Sequence, residues 1–568
     1  MTTRVSRLSA FGGLLLMATV LSPPSVMLAG GNAIQSAPQA QPAARPKLLV
    51  LLMVDQMRAD YLDRYSGLID QGLKRLTTAG AWYTHAALPY MSTVTCAGHS
   101  TAATGTYPYQ HGMINNAWIS RATEISETCT EDPATRLVAY GKFGGPGESA
   151  KRMTRPTIAE LLHQRGGRTI AISLKARSAI GMGGHQGDAI VWFDEHGDVF
   201  TTSTAFSRTP EPSIDAFIKA HPIEKARGSD WTRSLPAARY QYDDEPDGER
   251  ANLGWGMAFP HTLGTEDRNF YARWEESPLS DEYLEQMAEA AIDGMHLGSG
   301  QDTDFIGISF SALDLVGHAF GPRSHEVQDT IVRLDRTIGR FLDFLDRRVG
   351  RDNYVLALSA DHGVGDIPEQ VGGTRVSPET VVRVVDEVLR GALEDAPPRE
   401  VRDVIRPFNG TGLYVAGLSN NDVYLRAGVF DRLSKDPKTL QAVIDGLTSI
   451  PGIAGVLRGD VLAAPAARTS PDAMTRAAAL SYVARQSGDL VLVLQENAVI
   501  STSAANHGTA QEYDQRVPVI LYGHGFPAGQ YASQASPADI AVTFAALAAI
   551  TLPSPDGHIL APAPAVSR

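Results

Sequence analysis

Leu-Leu-Val-Leu-Leu-Met-Val, residues 48 to 54, is apolar at every position and is followed at once by Asp55. A strand with one solvated face alternates apolar and polar residues, so a run without alternation reads as a strand buried on both faces of a mostly parallel sheet. Comparable short runs recur far apart: Thr169 to Ser173, Ala189 to Phe193, Phe305 to Phe310, Tyr354 to Ser359, Leu490 to Leu494 and Val517 to Tyr522. Between them lie helical patterns, the clearest placing Val327, Ile331, Leu334, Ile338, Phe341 and Leu345 at steps of three and four. Strands alternating with helices predict an α/β fold built on a doubly wound, mostly parallel central sheet. Two stretches, about 195–300 and about 365–488, interrupt the alternation with Pro, Trp, Tyr and charge or with short mixed elements, and read as insertions that cap the active site. No repeat of solenoid or propeller period is present.

With 568 residues, 43% hydrophobic and 20% charged, the chain can bury a large core. Its first residues carry Arg4 and Arg7, an apolar stretch from Leu8 to Leu21 and small residues around Ala29, the layout of a secretory signal peptide spanning 1–29. Gly12, Gly13, Pro23 and Pro24 leave that stretch shorter than the roughly 20 residues of a membrane-spanning helix, which argues against a stable membrane anchor. Residues 30–46, rich in Gly, Ala, Gln, Ser and Pro, read as a flexible linker, and the folded part, 47–568, begins at Lys47. The expected location is therefore periplasmic or secreted. Removing 1–29 takes away two positive charges and no negative ones, so the net charge of −13 becomes −15. With no Lys/Arg block interleaved with aromatics, nucleic acid is excluded as a bulk partner. Cys96 and Cys129 are too few for a Cys-rich zinc module, so any metal must be held by His and carboxylates. The two could form one bridge around the Thr95 region or stand as two buried thiols.

In open parallel sheets ligands bind beyond the carboxyl ends of the strands, so the polar residues just after apolar runs are the ones to collect. Asp55 follows the first run. Asp314 follows Phe305 to Phe310 and opens Asp-Leu-Val-Gly-His, ending at His318. Asp361 and His362 follow Tyr354 to Ser359, and His507 lies in Asn-His-Gly. Three carboxylates and three imidazoles are what two zinc ions want. Any one of them alone is more often a turn former or helix cap, so it is the set that points to a metal centre.

The stretches Val54-Asp-Gln-Met-Arg58, Thr93-Val-Thr-Cys-Ala-Gly-His99, Thr104-Gly-Thr-Tyr-Pro108 with His111-Gly112, and Ser359-Ala-Asp-His-Gly363 together resemble the alkaline phosphatase superfamily. More narrowly they resemble its phosphate-irrepressible alkaline phosphatases, which use a Thr nucleophile and no magnesium site. The nucleotide pyrophosphatase/phosphodiesterases share most of this framework. The likeness runs from Lys47 to the C-terminus and is vague in the two insertions. It implies one Zn2+ on Asp314, His318 and His507 and a second on Asp55, Asp361 and His362, with Thr95 bridging to the second as the nucleophile that becomes phosphothreonine. It also implies Asn116, 21 positions on, as a substrate-binding residue of the phosphate site. Locally, Thr95 lies where a loop enters a helix expected over Ala97 to Ala103, whose N-terminal amides favour negative charge. Spacing alone leaves Thr93 as its competitor.

Ser173-Leu-Lys-Ala-Arg177 bears on the substrate. If the backbone is extended there, Lys175 and Arg177 point the same way, and an Arg fork suits phosphate oxygens. The blander reading is a solvated pair of cations. By resemblance these two residues contact the phosphoryl oxygens, with Lys175 standing where related enzymes bind magnesium, which favours monoesters over diesters. The expected function is thus an alkaline phosphatase acting, as a monomer, on small phosphate monoesters. The alternatives are a nucleotide phosphodiesterase on the same metal framework and a non-catalytic periplasmic zinc or phosphate binder. Other motif matches dissolve: Gly181 and Gly183 lack a third Gly, since position 186 is Gln, and Gly141-Lys142 lacks the upstream Gly of a phosphate loop.

Overall fold

The computed structural model describes residues 45–560 except 195, 266–268 and 394–411. The signal peptide expected over 1–29, and the linker expected over 30–46 except Arg45 and Pro46, lie outside the described residues. An 11-stranded sheet forms the centre. Its strands are β1 (Leu48–Val54), β2 (Ala81–Ala86), β3 (Glu131–Ala139), β4 (Pro146–Glu148), β5 (Thr169–Ser173), β6 (Ala189–Asp194), β7 (Val199–Ser203), β8 (Asp304–Phe310), β9 (Tyr354–Ser359), β10 (Val519–Gly523) and β11 (Gly529–Ala535). They lie in the order β11-β2-β10-β9-β1-β8-β5-β6-β7-β3-β4. The middle five, β9, β1, β8, β5 and β6, are parallel to one another. Antiparallel strands flank them: β10 on one side, and β7, β3 and β4 on the other.

The uninterrupted apolar run of β1 has the expected consequence. Leu48, Val50, Leu52 and Val54 enter one core, and Leu49, Leu51 and Met53 enter another on the opposite face. Helices α1 (Thr95–Thr104) and α2 (Ala176–Gly183) cover the second face together with α6 (Ala538–Leu547). The first face is covered by α3 (Pro278–Gly294), α4 (Ala312–Phe320) and α5 (His325–Arg348). All six positions of the helical stripe expected in α5 are buried. The helix is started by Ser324, whose hydroxyl accepts from the Val327 amide at 3.1 Å.

Several strand readings need correction. Leu490–Leu494 is a strand, but it belongs to a separate four-stranded antiparallel sheet with Val415–Ser419, Asp422–Leu425 and Ile453–Arg458. Continuous apolarity reports burial on both faces and says nothing of which sheet is joined: Leu490, Leu492 and Leu494 pack into one small core and Val491 into another. The run at Val517 to Tyr522 yields β10, shifted to Val519–Gly523 and antiparallel to both neighbours. Within the stretch read as the first insertion, β7 pairs in the central sheet and α3 packs on it. No helix among the described residues is long and apolar enough to cross a membrane.

Candidate active site

The six residues collected from the strand ends converge at the carboxyl edge of β9, β1 and β8. Asp55 leaves β1 with its amide still bonded to the Phe310 carbonyl, at 2.9 Å. Asp314 stands in the first turn of α4 and His318 one turn later, the i,i+4 spacing that puts both on one face. Two groups result, Asp314 with His318 and His507, and Asp55 with Asp361 and His362, and within each the candidate ligand atoms lie within 4.8 Å of one another. His318 Nε2 is 3.3 Å from Asp314 Oδ1, while His362 Nε2 is 3.4 Å from both Asp55 Oδ1 and Asp361 Oδ2. Ligands of a tetrahedral zinc at 2.0–2.1 Å stand about 3.4 Å apart, so these separations fit such an ion. The His362 and His507 rings stack with centroids 3.6 Å apart, joining the two groups.

Each imidazole is oriented from behind. Nδ1 of His318, His362 and His507 donates to the carbonyls of Ala505, Gly363 and Thr93 at 3.0, 2.9 and 2.8 Å. A carbonyl can only accept, so the neutral ring keeps its proton on Nδ1 and presents the Nε2 lone pair to the site, the tautomer a metal needs. Asp55 Oδ1, Asp361 Oδ2 and His362 Nε2 are buried without a hydrogen-bond partner. Buried polar atoms are normally satisfied, so three orphans in one ligand group fit a cation there.

The electrostatics agree. Burial, with Asp314 and Asp361 nearby, pushes the Asp55 carboxyl well above the carboxylate range despite Lys175. Burial also works against Asp314, but Lys175 and the surrounding imidazoles hold it well below that range. Two buried carboxylates face one ammonium: Lys175 Nζ donates to Asp55 Oδ2 at 2.7 Å and to Asp314 Oδ2, one carboxylate from each group. Burial disfavours the charged lysine, yet Asp314 and Asp55 together keep its pKa raised.

The extended geometry considered for Lys175 and Arg177 is not what forms. Lys175 is extended, at φ −104° and ψ 130°, but it caps α2, and Arg177 already lies in the first helical turn. Alternate residues of a strand share a face, whereas a cap and the second residue of a helix do not. Arg177 is half-buried, and its Nε has no protein partner.

Thr95 is the first residue of α1, which begins two residues earlier than the expected Ala97. Gly98 lets the first turn press on the second ligand group: a Cβ there would lie 2.1 Å from the Asp361 carbonyl oxygen. The two threonines differ in their engagement. The Thr93 hydroxyl donates to the Thr509 carbonyl at 2.9 Å, and the Thr93 carbonyl orients His507. Asn116, at the start of a hairpin (Ala117–Ile119 with Ser126–Thr128), accepts from the Cys96 amide on its Oδ1 at 2.9 Å. Cys96 and Cys129 are joined by a disulfide, which settles the two options the sequence left open.

Two residues escaped the sequence reading. Gln56, buried and left-handed at φ 68°, donates its amide to Asp361 Oδ1 at 3.1 Å and its side-chain Nε2 to Asp314 Oδ1 at 2.7 Å, linking the groups. Gly317 makes room for it, since a Cβ there would lie 1.9 Å from Gln56 Oε1. His99, fully buried, places Nδ1 2.9 Å from the Thr95 carbonyl and 3.2 Å from Asp361 Oδ2. Their adjacency to Asp55 and Thr95 was the only signal available.

A fold with paired His/Asp groups at the carboxyl ends of parallel strands defines a class, and the comparison with known families agrees. Residues 49–516 match the family described as type I phosphodiesterase / nucleotide pyrophosphatase, and the chain belongs to that family, within the alkaline phosphatase superfamily. It is similar to the alkaline phosphatase PhoV of Synechococcus elongatus, 29% identical over 90% of this chain and 92% of that one. Among solved structures, the wild-type alkaline phosphatase PafA superposes with a TM-score of 0.78 at 27% identity, covering 92% of this chain and 99% of the other. A PafA variant substituted at a threonine, an asparagine, a lysine and an arginine superposes at 0.81 with 26% identity and the same coverage.

Proposed function

We propose that the protein is an exported alkaline phosphatase that hydrolyses small phosphate monoesters through a phosphothreonine on Thr95. The observation that carries this reading is the pair of three-ligand groups spanned by the Lys175 ammonium, which reaches a carboxylate of each. Support comes from relatives named alkaline phosphatases along about nine-tenths of the chain. In the PafA variant the substituted threonine and asparagine are 21 positions apart and the lysine and arginine two apart. Thr95 and Asn116, and Lys175 and Arg177, keep both spacings.

Asp314, His318 and His507 would hold one zinc ion and Asp55, Asp361 and His362 a second, and bound there the two dications would acidify a hydroxyl and offset charge building on the phosphoryl oxygens. The rest falls to the chain. Thr95 Oγ1 attacks phosphorus in line with the departing alcohol, and the first amides of α1 favour the negative charge that forms. Asn116 Nδ2, Lys175 and Arg177 donate to the remaining oxygens, Lys175 supplying the positive charge that magnesium supplies in related enzymes. Water then attacks phosphorus from the vacated side, the P–Oγ1 bond breaks, and phosphate leaves with Thr95 restored. The Cys96–Cys129 disulfide supports an oxidising, periplasmic or secreted location.

The family's description favours a second reading, phosphodiester cleavage on the same framework. A diester bears one fewer anionic oxygen, so the two cations should discriminate. Each hydrogen bond to a charged group contributes about 1.5–3 kcal/mol, so Lys175→Ala with Arg177→Ala should lower the ratio of nitrophenyl phosphate to bis-nitrophenyl phosphate turnover by roughly a hundredfold or more. An unchanged ratio would remove the monoester assignment.

A further inference from the structure

Asn116 is held from two sides by the two halves of one cystine. Its side-chain Oδ1 accepts from the Cys96 amide in the first turn of α1, and its main-chain carbonyl accepts from the Cys129 amide, both at 2.9 Å. Cys96 and Cys129 are covalently joined, and both are fully buried. The hairpin that begins at Asn116 pairs Ala117 with Thr128, so the Cys129 bond adds one rung at the end nearest Thr95. The Cys96 amide can only donate, so the atom facing it must be Oδ1, and the hydrogen-bonding group left to the carboxamide is Nδ2, a donor. A third tie comes from the second insertion: Asn115 Oδ1 accepts from the Asn116 amide at 2.9 Å, and Asn115 Nδ2 donates to Ser419 at 3.3 Å.

We propose that the Cys96–Cys129 disulfide is a positioning element for substrate binding, holding the Asn116 amide donor at a set distance from the start of the Thr95 helix. This rests on the reading of Asn116 as a donor to a phosphoryl oxygen. The bridge joins the residue after Thr95 to the residue that pairs with Asn116, so breaking it lets the hairpin move relative to α1 along the one direction that matters for that donor. Neither cysteine belongs to either ligand group, so the bridge contributes no candidate metal donor. A displacement well under 1 Å weakens a hydrogen bond to an anion without unfolding the protein.

The test is a cycle of four zinc-loaded proteins: wild type, Asn116→Ala, Cys96→Ala with Cys129→Ala, and all three together. Inhibition by inorganic phosphate, KM and kcat for nitrophenyl phosphate, and zinc content are measured for each. Removal of the bridge should weaken phosphate inhibition and raise KM by about tenfold in the presence of Asn116, with zinc content unchanged, and should have no further effect when residue 116 is Ala. An equal loss in both backgrounds, or no loss in either, overturns the proposal. If Asn116→Ala itself leaves phosphate inhibition unchanged, the reading of Asn116 fails first, and the proposal falls with it. Should the cysteine variants not fold, the folded wild-type enzyme and Asn116→Ala are compared after reduction by a water-soluble phosphine. The phosphine leaves as its oxide, its oxygen drawn from water, as the bridge takes up two electrons and two protons to give two thiols. With thiol titration showing the bridge reduced in both, equal sensitivity of the two proteins would then refute the idea.

Discussion

Gln56 keeps a backbone conformation that few residues other than glycine adopt, and it does so between the two ligand groups. Such strain persists only where the surroundings over-determine it. Gln56→Met retains the volume but withdraws the amide from Asp314 Oδ1, a loss of about 1–3 kcal/mol at a buried charged acceptor. The expected outcome is weaker zinc retention against a competing chelator, with the fold intact by circular dichroism; retention equal to wild type would deny Gln56 a positioning role. The two threonines separate as sharply. Acid-quenched mass analysis after reaction with a monoester should find a phosphoryl group on Thr95 and lose it in Thr95→Ala. Thr93→Ala removes only hydroxyl bonds to the carbonyls of Thr509 and, more distantly, Met91, and should leave labelling intact. Of the six candidate ligands, Asp55, Asp361 and His362 were legible as polar residues punctuating apolar strands, Asp314 and His318 from the Asp-Leu-Val-Gly-His run a short turn after one, and His507 from its Asn-His-Gly setting. Gln56 and His99 were not, because each meets a ligand-group carboxylate more than 200 positions away, Gln56 at Asp314 and His99 at Asp361. Lys175 and Arg177 were found for their chemistry, but their relative orientation depended on a helix starting directly after Lys175, which no residue there announces.

At the scale of elements, α1, which begins at the proposed nucleophile Thr95, packs against the second ligand group, and Gly98 sets how closely. Gly98→Ala places a methyl group 2.1 Å from the Asp361 carbonyl oxygen, backbone that cannot yield without shifting a ligand. Zinc content and activity should fall together in that variant, and a fully loaded, active protein would contradict the packing described. The far end of α1 is anchored through His111, whose Nδ1 accepts from the Met113 amide while Nε2 meets the Thr101 hydroxyl, both at 3.1 Å. Burial depresses this imidazole to about 3. Its folded pKa therefore lies below the unfolded value of about 6.5. The stability it contributes is present above about 6.5 and is lost as pH falls toward 3, at about 1.4 kcal/mol per pH unit. Chemical denaturation of wild type and His111→Gln should show a stability gap that narrows between pH 7 and pH 4.5; a constant gap would contradict the assignment. Element identity was readable wherever a run was long and one-sided, as in α5. Leu490–Leu494 shows the limit, since an all-apolar pentapeptide fits a central strand and a strand of a small separate sheet equally well.

Across the whole molecule, the central sheet supplies candidate ligands from three adjacent strand ends, and the four-stranded antiparallel sheet reaches the same place by one tight turn. Asn420 and Asn421 both donate to the Gly508 carbonyl beside His507, at 3.1 and 2.8 Å, while Ser419 meets Asn115. The α/β class and the position of the site could be read from the apolar strand runs and the polar residues that end them. The manner in which 419–421 ties Asn115 to the loop carrying His507 could not, because it depends on how an antiparallel sheet docks. Everything catalytic depends on the two ligand groups acting as a paired metal centre. Metal analysis after chelation and zinc add-back tests this most directly: wild type should take up two zinc ions per chain and regain activity, while Asp314→Asn and Asp361→Asn should each retain one. Full activity in the chelated protein, or uptake unaffected by both substitutions, would contradict it.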